Sequence, residues 1–219
     1  MEFPIQMYID GALTDGARTQ EVFNPATETL VATIATAGLE DAERALQAAK
    51  AAFPGWAATP IADRQAWMHK LRDEVIANED WLRSCVHHEM GKPWAQTEED
   101  WDRLVASLDY YAEEIARLHD YNLTDRAGTH THRMVFEPAG VAVAFLAWNF
   151  PLLNLAFKIG PAMAAGCPAP LPRGPALKEK ANHTRRPRFL ATSIEKGGFV
   201  RYPGARMYLV LFLLLDDRL

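Results

Sequence analysis

The residues best suited to chemistry lie in one short segment, Trp148-Asn149-Phe150-Pro151. It follows the apolar run Val141–Leu146 and precedes a second apolar segment, so the pattern predicts a buried strand, a tight turn and a helix. The Asn149 side-chain amide can donate a hydrogen bond to an oxyanion that develops at a reacting carbonyl. By spacing alone, an ordinary helix start is the better interpretation, with Asn149 as the N-cap and Pro151 at the first helical position.

Two cysteines, Cys85 and Cys167, occur in segments that otherwise have helical patterns. Their number and spacing do not indicate a disulfide framework, which favours a reducing compartment. Cys85 and His88 can share one face of a helix, as two ligands of a metal would. Zinc sites usually have three or four protein ligands, and two further ligands are not identifiable here. We therefore expect no metal site.

The composition favours a protein that acts on small molecules. Of 219 residues, 49% are hydrophobic, enough for one large core or two small ones. The formal net charge of −5 provides no strong field for nucleic acid or anionic lipid. The basic residues between Lys178 and Arg188 lack interleaved aromatic residues, which is typical of a solvated helix start.

The N-terminus has no signal-peptide pattern and the longest apolar run, Met207–Leu215, is shorter than the roughly 20 residues of a membrane helix. We expect a cytoplasmic protein without nucleic-acid or membrane partners.

The first half of the chain is predicted to be mainly helical after a short β segment. Met7–Gly11 and Thr19–Pro25 predict two strands joined as an antiparallel pair through a Gly/Asp turn. Four amphipathic helices follow, each with an apolar stripe at helical spacing. Their expected ranges are Leu39–Phe53, ended by Pro54-Gly55, then Ile61–Asn78, Asp80–Met90, ended by Gly91-Lys92-Pro93, and Trp94–Leu118.

The next part of the chain predicts strands and one helix. Thr129–Phe136 alternates between polar and apolar residues and predicts an exposed edge strand. Val141–Leu146 is almost wholly apolar, as a parallel strand covered on both faces should be. A helix over Leu152–Ala165 completes the first half of a βαβ unit. The stretch Cys167–Pro175 contains four prolines and cannot be a central strand.

The segment Glu137–Cys167, EPAGVAVAFLAWNFPLLNLAFKIGPAMAAGC, resembles the start of the cofactor domain of aldehyde dehydrogenases. The resemblance implies an α/β fold, with a partial doubly wound, Rossmann-like cofactor domain and an N-terminal helical segment. It implies that the Asn149 amide points at the aldehyde oxygen. The backbone around Leu146, Ala147 and Trp148 would line the path of a nicotinamide cofactor. Ala147 departs from the proline usual in the family, which affects the rigidity of the turn more than its chemistry.

Further along, the resemblance is patchy. The family has a short strand leading to a lysine that binds the adenosine ribose, and Lys178 takes this place after roughly six extra residues. Ala181 stands where many NAD-preferring members carry a glutamate. Without that carboxylate a 2′-phosphate meets no repulsion, so NADP is expected at least as readily as NAD. Lys178–Gly198 corresponds in length to a helical segment of the family, and Tyr208–Leu215 would be the next strand.

The resemblance also divides the chain and implies a reaction. Residues 1–121 would be the N-terminal strands and helices of the cofactor domain, 122–137 a strand like the arm through which subunits pair, and 138–219 the first βα units of the NAD(P)-binding domain. The implied reaction is NAD(P)-dependent oxidation of a small aldehyde to a carboxylic acid. The region Ile194–Leu215 leans toward the branch that oxidises semialdehydes.

Two expectations qualify that reaction. Neither cysteine has the context of the family's nucleophile, and the family's general-base glutamate lies beyond the end of this chain, so we expect the chain alone to be inactive. The alternative is a non-catalytic fragment or pseudoenzyme that acts through subunit pairing or residual nucleotide binding. A homo-oligomer is expected if the arm can pair.

Overall fold

The computed structural model describes residues 4–144, 146–147, 149–168, 190–192 and 209–211, which form a mixed α/β structure. The strands in these ranges are β1 (Pro4–Ile5), β2 (Met7–Ile9), β3 (Ala12–Thr14), β4 (Arg18–Phe23), β5 (Leu30–Thr36), β6 (Tyr121–Thr124), β7 (Thr131–Met134), β8 (Leu190–Thr192) and β9 (Leu209–Leu211). The helices are α1 (Leu39–Ala57), α2 (Ile61–Ala77), α3 (Glu79–Met90), α4 (Trp94–Glu114) and α5 (Pro151–Ala164), with a 3₁₀ turn at Ile115–Arg117. None of the helices in these ranges has both the length and the apolarity needed to cross a membrane.

The N-terminal strands pair differently from the sequence prediction. Asp10 and Gly11 both have positive φ angles, of 52° and 79°. They therefore form a two-residue loop that joins β2 directly to β3, with Ile9 opposite Ala12. β4 pairs with β5 in antiparallel fashion, and β1 lies parallel on the other side of β5. The predicted pairing of the first strand with the segment around β4 is wrong, because the Asp-Gly loop closes within two residues.

The four predicted helices are confirmed as α1 to α4. α3 ends at Gly91, whose φ of 69° lies in the left-handed region that glycine adopts freely. α1, however, continues through Pro54 to Ala57, beyond its predicted end. The indole Nε1–H of Trp56 donates a hydrogen bond of 3.2 Å to the carbonyl of Met163 in α5. This tertiary contact holds the turn that the proline weakens.

The helices α2 to α5 share one apolar core. The predicted stripe on α4 is confirmed, since Leu104 and Leu108 are at most 1% exposed. Helix α5, which follows the Asn149 turn, is packed directly on the helices that precede it in the chain. The buried members of this core are Leu71, Val75, Leu82, Val86, Leu104, Leu108, Leu146, Leu152, Leu155, Ala156, Ile159 and Met163.

β6 and β7 form a two-stranded antiparallel hairpin, in which Tyr121 lies opposite Met134. All residues of both strands are exposed. The exposed strand predicted at residues 129–136 is confirmed in β7, whereas the single arm-like strand expected over 122–137 is divided by a loop into β6 and β7. The Asp125 carboxylate closes the loop by accepting hydrogen bonds from the backbone N–H groups of Thr129 and His130, at 2.7 and 3.1 Å.

Two further predictions differ from the structure. The buried strand expected at Val141–Leu146 is not formed in its described residues, although the Ala142 N–H donates to the Pro168 carbonyl at 3.1 Å. A central parallel strand requires hydrogen-bonded neighbours, and in the described ranges no strand lies beside it. β9 falls within the strand predicted at 208–215, whereas β8, its antiparallel partner, replaces part of the helix expected over 178–198. The other residues of that expected helix lie outside the described ranges.

Candidate active-site turn

Asn149 lies in the turn immediately before α5, with its side chain exposed. Pro151 is the first residue of α5, and Phe150 is the N-cap, with φ −142° and ψ 73°. The expectation that Asn149 is the N-cap is therefore wrong by one residue, because the proline at the first helical position makes its predecessor the cap. Since the Asn149 amide is not used to cap the helix, it stands at the surface where a ligand can reach it.

The cap that Phe150 cannot provide comes from helix α4. Asp100 is completely buried, and its Oδ1 accepts a hydrogen bond of 2.9 Å from the backbone N–H of Leu153 in the first turn of α5. The first N–H groups of a helix have no partner within the helix, and a carboxylate also complements the positive end of the helix dipole. Asp100 thus ties the start of α5 to α4.

A lysine whose ammonium nitrogen is buried faces the same carboxylate. The Lys92 ammonium lies 3.6 Å from Asp100 Oδ2 and 3.8 Å from the centre of the Phe150 ring. The Lys92 side chain is only 10% exposed. Among the described residues, neither Lys92 Nζ nor Asp100 Oδ2 makes a hydrogen bond. The loss of hydration around the Lys92 ammonium is therefore offset by its attraction to the Asp100 carboxylate and to the face of the Phe150 ring.

Burial raises the pKa of Asp100 above the ordinary carboxyl value, because leaving water disfavours the charged form. The backbone N–H of Leu153 and the Lys92 charge act in the opposite direction. Loss of either partner from a buried pair leaves an uncompensated charge and typically destabilises a protein by about 3–5 kcal/mol. The pair therefore matters for the placement of the turn, and it was not predicted from the sequence.

The loop that holds Lys92 is itself fixed at both sides. Gly91 ends α3 in the left-handed conformation and Pro93 precedes the first residue of α4. The Lys92 carbonyl lies 2.6 Å from His87 Nδ1. His87, the neighbour of the candidate metal ligand His88, thus contacts the backbone of this loop. The described part of the chain contains no group of three or more His, Cys, Asp or Glu side chains that could hold a metal ion.

The other predicted site residues have different surroundings. Leu146 is 2% exposed and its side chain belongs to the core, so only its backbone is available to a ligand. Ala147 is exposed beside Asn149. Trp148 and Lys178 lie outside the described residues, and the structure places neither of them.

The two cysteines are poorly placed for attack on a carbonyl held at Asn149. Burial raises the pKa of the Cys85 thiol, and the neighbouring Glu89 raises it further, so the thiol stays protonated at neutral pH. Cys167 is buried three residues after the end of α5. A helix of 14 residues is roughly 21 Å long, which separates Cys167 from the turn at the other end.

The sequence pattern of the aldehyde dehydrogenase family matches residues 13–171 of this chain. The chain belongs to this family. The match includes the Asn149 turn and ends before Lys178, in agreement with the prediction that the resemblance is close only through Cys167. The α/β fold class is confirmed as well, since the structural neighbours are members of the same family.

Three of the proteins to which this chain is similar are named as semialdehyde dehydrogenases. Glutarate-semialdehyde dehydrogenase of Pseudomonas putida is 32% identical over 75% of this chain and 35% of its own length. Probable succinate-semialdehyde dehydrogenase [NADP(+)] of Sinorhizobium fredii is 33% identical over 67% of this chain and 30% of its own. The crystal structure of succinate-semialdehyde dehydrogenase from Burkholderia pseudomallei superimposes with a TM-score of 0.71 at 36% identity, covering 75% of this chain and 34% of that one. This chain spans about a third of the length of the curated relatives it matches.

Family membership gives the geometry of the turn a chemical context. In this aldehyde dehydrogenase chain, Asn149 is exposed at the start of α5, while the Lys92 ammonium and the Asp100 side chain lie buried beside the same turn. Asp100 could have been identified from the sequence, because it lies four residues before Leu104 and so places a charged residue on the buried stripe of α4. The sequence did not indicate a role for Lys92, because Gly-Lys-Pro is equally typical of an exposed helix end.

Proposed function

We propose that this chain supplies the oxyanion-binding and cofactor-facing turn of an NAD(P)-dependent enzyme that oxidises a small semialdehyde to a carboxylic acid. The exposed Asn149 amide, in a turn that the family pattern covers, is the observation that carries the proposal. Two of the similar proteins are named for glutarate semialdehyde and succinate semialdehyde, which supports this substrate class.

The chemistry assigns a specific step to Asn149. Attack of a thiolate on the aldehyde carbonyl makes a tetrahedral oxyanion, and a fixed amide donor stabilises the charge as it develops. A bound nicotinamide would accept the hydride as the oxyanion collapses to a thioester, and a base would activate the water that hydrolyses this thioester, which releases the acid and restores the thiol. Cys85 and Cys167 are the two cysteines among the 219 residues, and both are unsuited to attack at this turn, so the thiolate would have to be supplied from outside these residues.

The surroundings of the turn fit the nicotinamide end of a cofactor better than its phosphates. Ala147 is small and exposed, so its own side chain does not obstruct a flat ring that approaches Asn149. The N–H group of Leu153, which at another helix start would be free for a phosphate, is bonded to the Asp100 carboxylate. A pyrophosphate placed there would meet a negative charge. NAD or NADP would therefore approach the turn with its nicotinamide, near Ala147, Trp148 and Asn149, and Lys178 is the proposed ribose ligand.

Subunit pairing is a second proposed function, favoured by the hairpin of β6 and β7. Tyr121 and Leu123 alternate along β6 and lie opposite Met134 and His132, so one face of the hairpin is mostly apolar. The opposite face carries Asn122, Thr124, Thr131 and Arg133. An exposed apolar strand pair is a surface on which another subunit can pack. We propose a homo-oligomer, with residues 122–137 as the pairing arm.

Ligand-induced stabilisation tests the cofactor part of the proposal. The chain is titrated with NADP and with NAD while its thermal unfolding is followed, and ATP serves as a nucleotide without nicotinamide. A ligand at about 100 times its dissociation constant should stabilise the fold by roughly 2.7 kcal/mol. No stabilisation by millimolar NAD or NADP, or equal stabilisation by ATP, would contradict the proposal.

A segment exchange tests the role of Asn149 separately. Residues 137–168 replace the corresponding segment of the Pseudomonas putida glutarate-semialdehyde dehydrogenase, and Asn149→Ala is made in the exchanged segment. Removal of one oxyanion donor typically lowers kcat by about 10²–10³-fold. The unaltered exchange is the control, and equal kcat in both proteins would show that Asn149 is not a donor to the oxyanion.

A further inference from the structure

The turn that carries Asn149 has little local support of its own. The segment before it forms no strand ladder in its described residues, and the N-cap residue after it, Phe150, has no side-chain group that can accept the first N–H bonds of α5. An oxyanion donor must be held close to its productive position, because small displacements weaken stabilisation of the transition state. The support for Asn149 must therefore come from elsewhere in the fold.

Asp100 supplies the first part of that support. It lies on α4, and its Oδ1 receives the Leu153 N–H at 2.9 Å, four residues after Asn149. Its side chain is fully buried, so water does not compete for this hydrogen bond. The bond fixes the first turn of α5 relative to α4 and so fixes where the chain enters the helix.

Lys92 supplies the second part. Its ammonium lies between Asp100 Oδ2, at 3.6 Å, and the Phe150 ring, at 3.8 Å from the ring centre. Phe150 is the immediate neighbour of Asn149 along the chain. Lys92 thus joins three pieces of structure: the loop between α3 and α4, the buried carboxylate of α4, and the residue next to the candidate donor.

We propose that Lys92 and Asp100 are positioning residues, which together hold the Asn149 turn through the ring of Phe150 and the Leu153 N–H bond at the start of α5. Neither residue touches substrate in this proposal. The proposal depends on the proposed function only for the chemical role of Asn149, since the placement of the turn can be measured without any ligand.

The test uses the whole chain, labelled with ¹⁵N, and compares Asp100→Ala with Asp41→Ala. Asp41 is the matched control, because it is also buried and also accepts a helix-start N–H bond, from Gly38 at 2.9 Å, but at α1. The side-chain amide signal of Asn149 is assigned by its loss in Asn149→Ala. Asp100→Ala is expected to shift and broaden this signal and to speed exchange of the Leu153 N–H by about tenfold. Asp41→Ala is expected to leave both unchanged.

Two conservative variants separate the hydrogen bond from the charge. Asp100→Asn keeps an acceptor for the Leu153 N–H and is expected to keep its slow exchange, while Lys92→Met removes the charge over Phe150 and is expected to shift the Asn149 signal. The double variant restores a neutral pair, so its Asn149 signal is expected to lie closer to the wild-type position than that of either single variant.

The outcomes distinguish this proposal from the proposed function. If Asp100→Ala and Lys92→Met lower the unfolding temperature but leave the Asn149 signal unchanged, the pair is merely structural and the positioning role is wrong. If Asp100→Ala does not fold, the Asp100→Asn and Lys92→Met comparison decides the same question. If the Asn149 signal moves as expected while neither NAD nor NADP binds the wild-type chain, positioning is supported and the proposed cofactor site fails.

Discussion

Gly160 and Tyr111 meet where α5 crosses α4: a Cβ added to Gly160 would lie 2.7 Å from Cδ2 of the Tyr111 ring. The absence of a side chain at Gly160 therefore allows the close approach of the two helices. Because α5 carries the Asn149 turn at its start, this contact contributes to the position of the turn as well as to the core.

Gly160→Ala should destabilise the fold by about 1–3 kcal/mol, because the ring and a helix backbone must move apart. Gly55, in α1, is the matched control, since an added Cβ there meets nothing within 4 Å. Alanine has the higher helix propensity, so Gly55→Ala should be neutral or stabilising by up to about 1 kcal/mol. Urea unfolding measures both, and a stabilising Gly160→Ala would contradict this account of the helix contact.

Gly91→Ala should destabilise the loop that holds Lys92. The φ of Gly91 is 69°, and a Cβ added there would lie 2.8 Å from Pro25 Cγ. The left-handed conformation costs other residues roughly 1–2 kcal/mol, and the contact adds to that. Gly128 in the β6–β7 loop has a similar φ of 70° with nothing within 4 Å, so Gly128→Ala measures the backbone cost alone. Equal unfolding temperatures for the two variants would show that the Pro25 contact is unimportant.

The helices were predictable because each carries its own local signals. The stripe through Leu104 and Leu108 defines the buried face of α4, and Gly91 ends α3. The prediction failed where a distant contact overrides a local signal. α1 continues through Pro54 because Trp56 is bonded to Met163, 107 residues away in sequence.

The turn of the site was predictable and its supports were not. The sequence around Asn149 marks a turn before a helix, and Pro151 at the first helical position already implies that Phe150, not Asn149, is the N-cap. The bond from Leu153 to Asp100 joins residues 53 positions apart, and no local pattern connects them. The expected strand at 141–146 failed for the related reason that a parallel strand forms only with its neighbours in place.

The β6–β7 loop should lose order in acid. The backbone N–H of His130 and the Thr129 hydroxyl, bonded to the Asp125 carboxylate, lower its pKa to about 2. An unfolded aspartate has a pKa of about 3.9, so the folded loop binds its proton less readily than the unfolded one. The carboxylate therefore supports the loop above about pH 4, and this support disappears as the pH falls from about 4 toward 2. The amide shifts of Thr129 and His130, followed by NMR, report the change, and in Asp125→Asn the transition should be absent.

Cys85 should resist alkylation in the folded chain. Burial, followed by repulsion from Glu89, raises the pKa of its thiol, and the protonated thiol is a poor nucleophile. In a Cys167→Ser background, iodoacetamide at neutral pH should modify the native chain far more slowly than the urea-unfolded chain. Intact mass after timed quenching measures both rates. Comparable rates would mean that Cys85 is accessible as a thiolate and must be reconsidered as a nucleophile.

Self-association should depend on one face of the β6–β7 hairpin. Leu123 is 51% exposed on the mostly apolar face, beside Tyr121 and Met134, whereas the neighbouring Thr124 lies on the polar face. Leu123→Lys should place a charge in the subunit contact and lower the mass of the assembly measured by sedimentation. Thr124→Lys adds the same charge at an adjacent position of the same strand and should leave the mass unchanged.

Both side chains are exposed, so neither variant should shift the unfolding temperature of the isolated subunit appreciably. Equal masses for the two variants would exclude the apolar face as the pairing surface, and the arm would then have to pair through the backbone edge of β6 or β7.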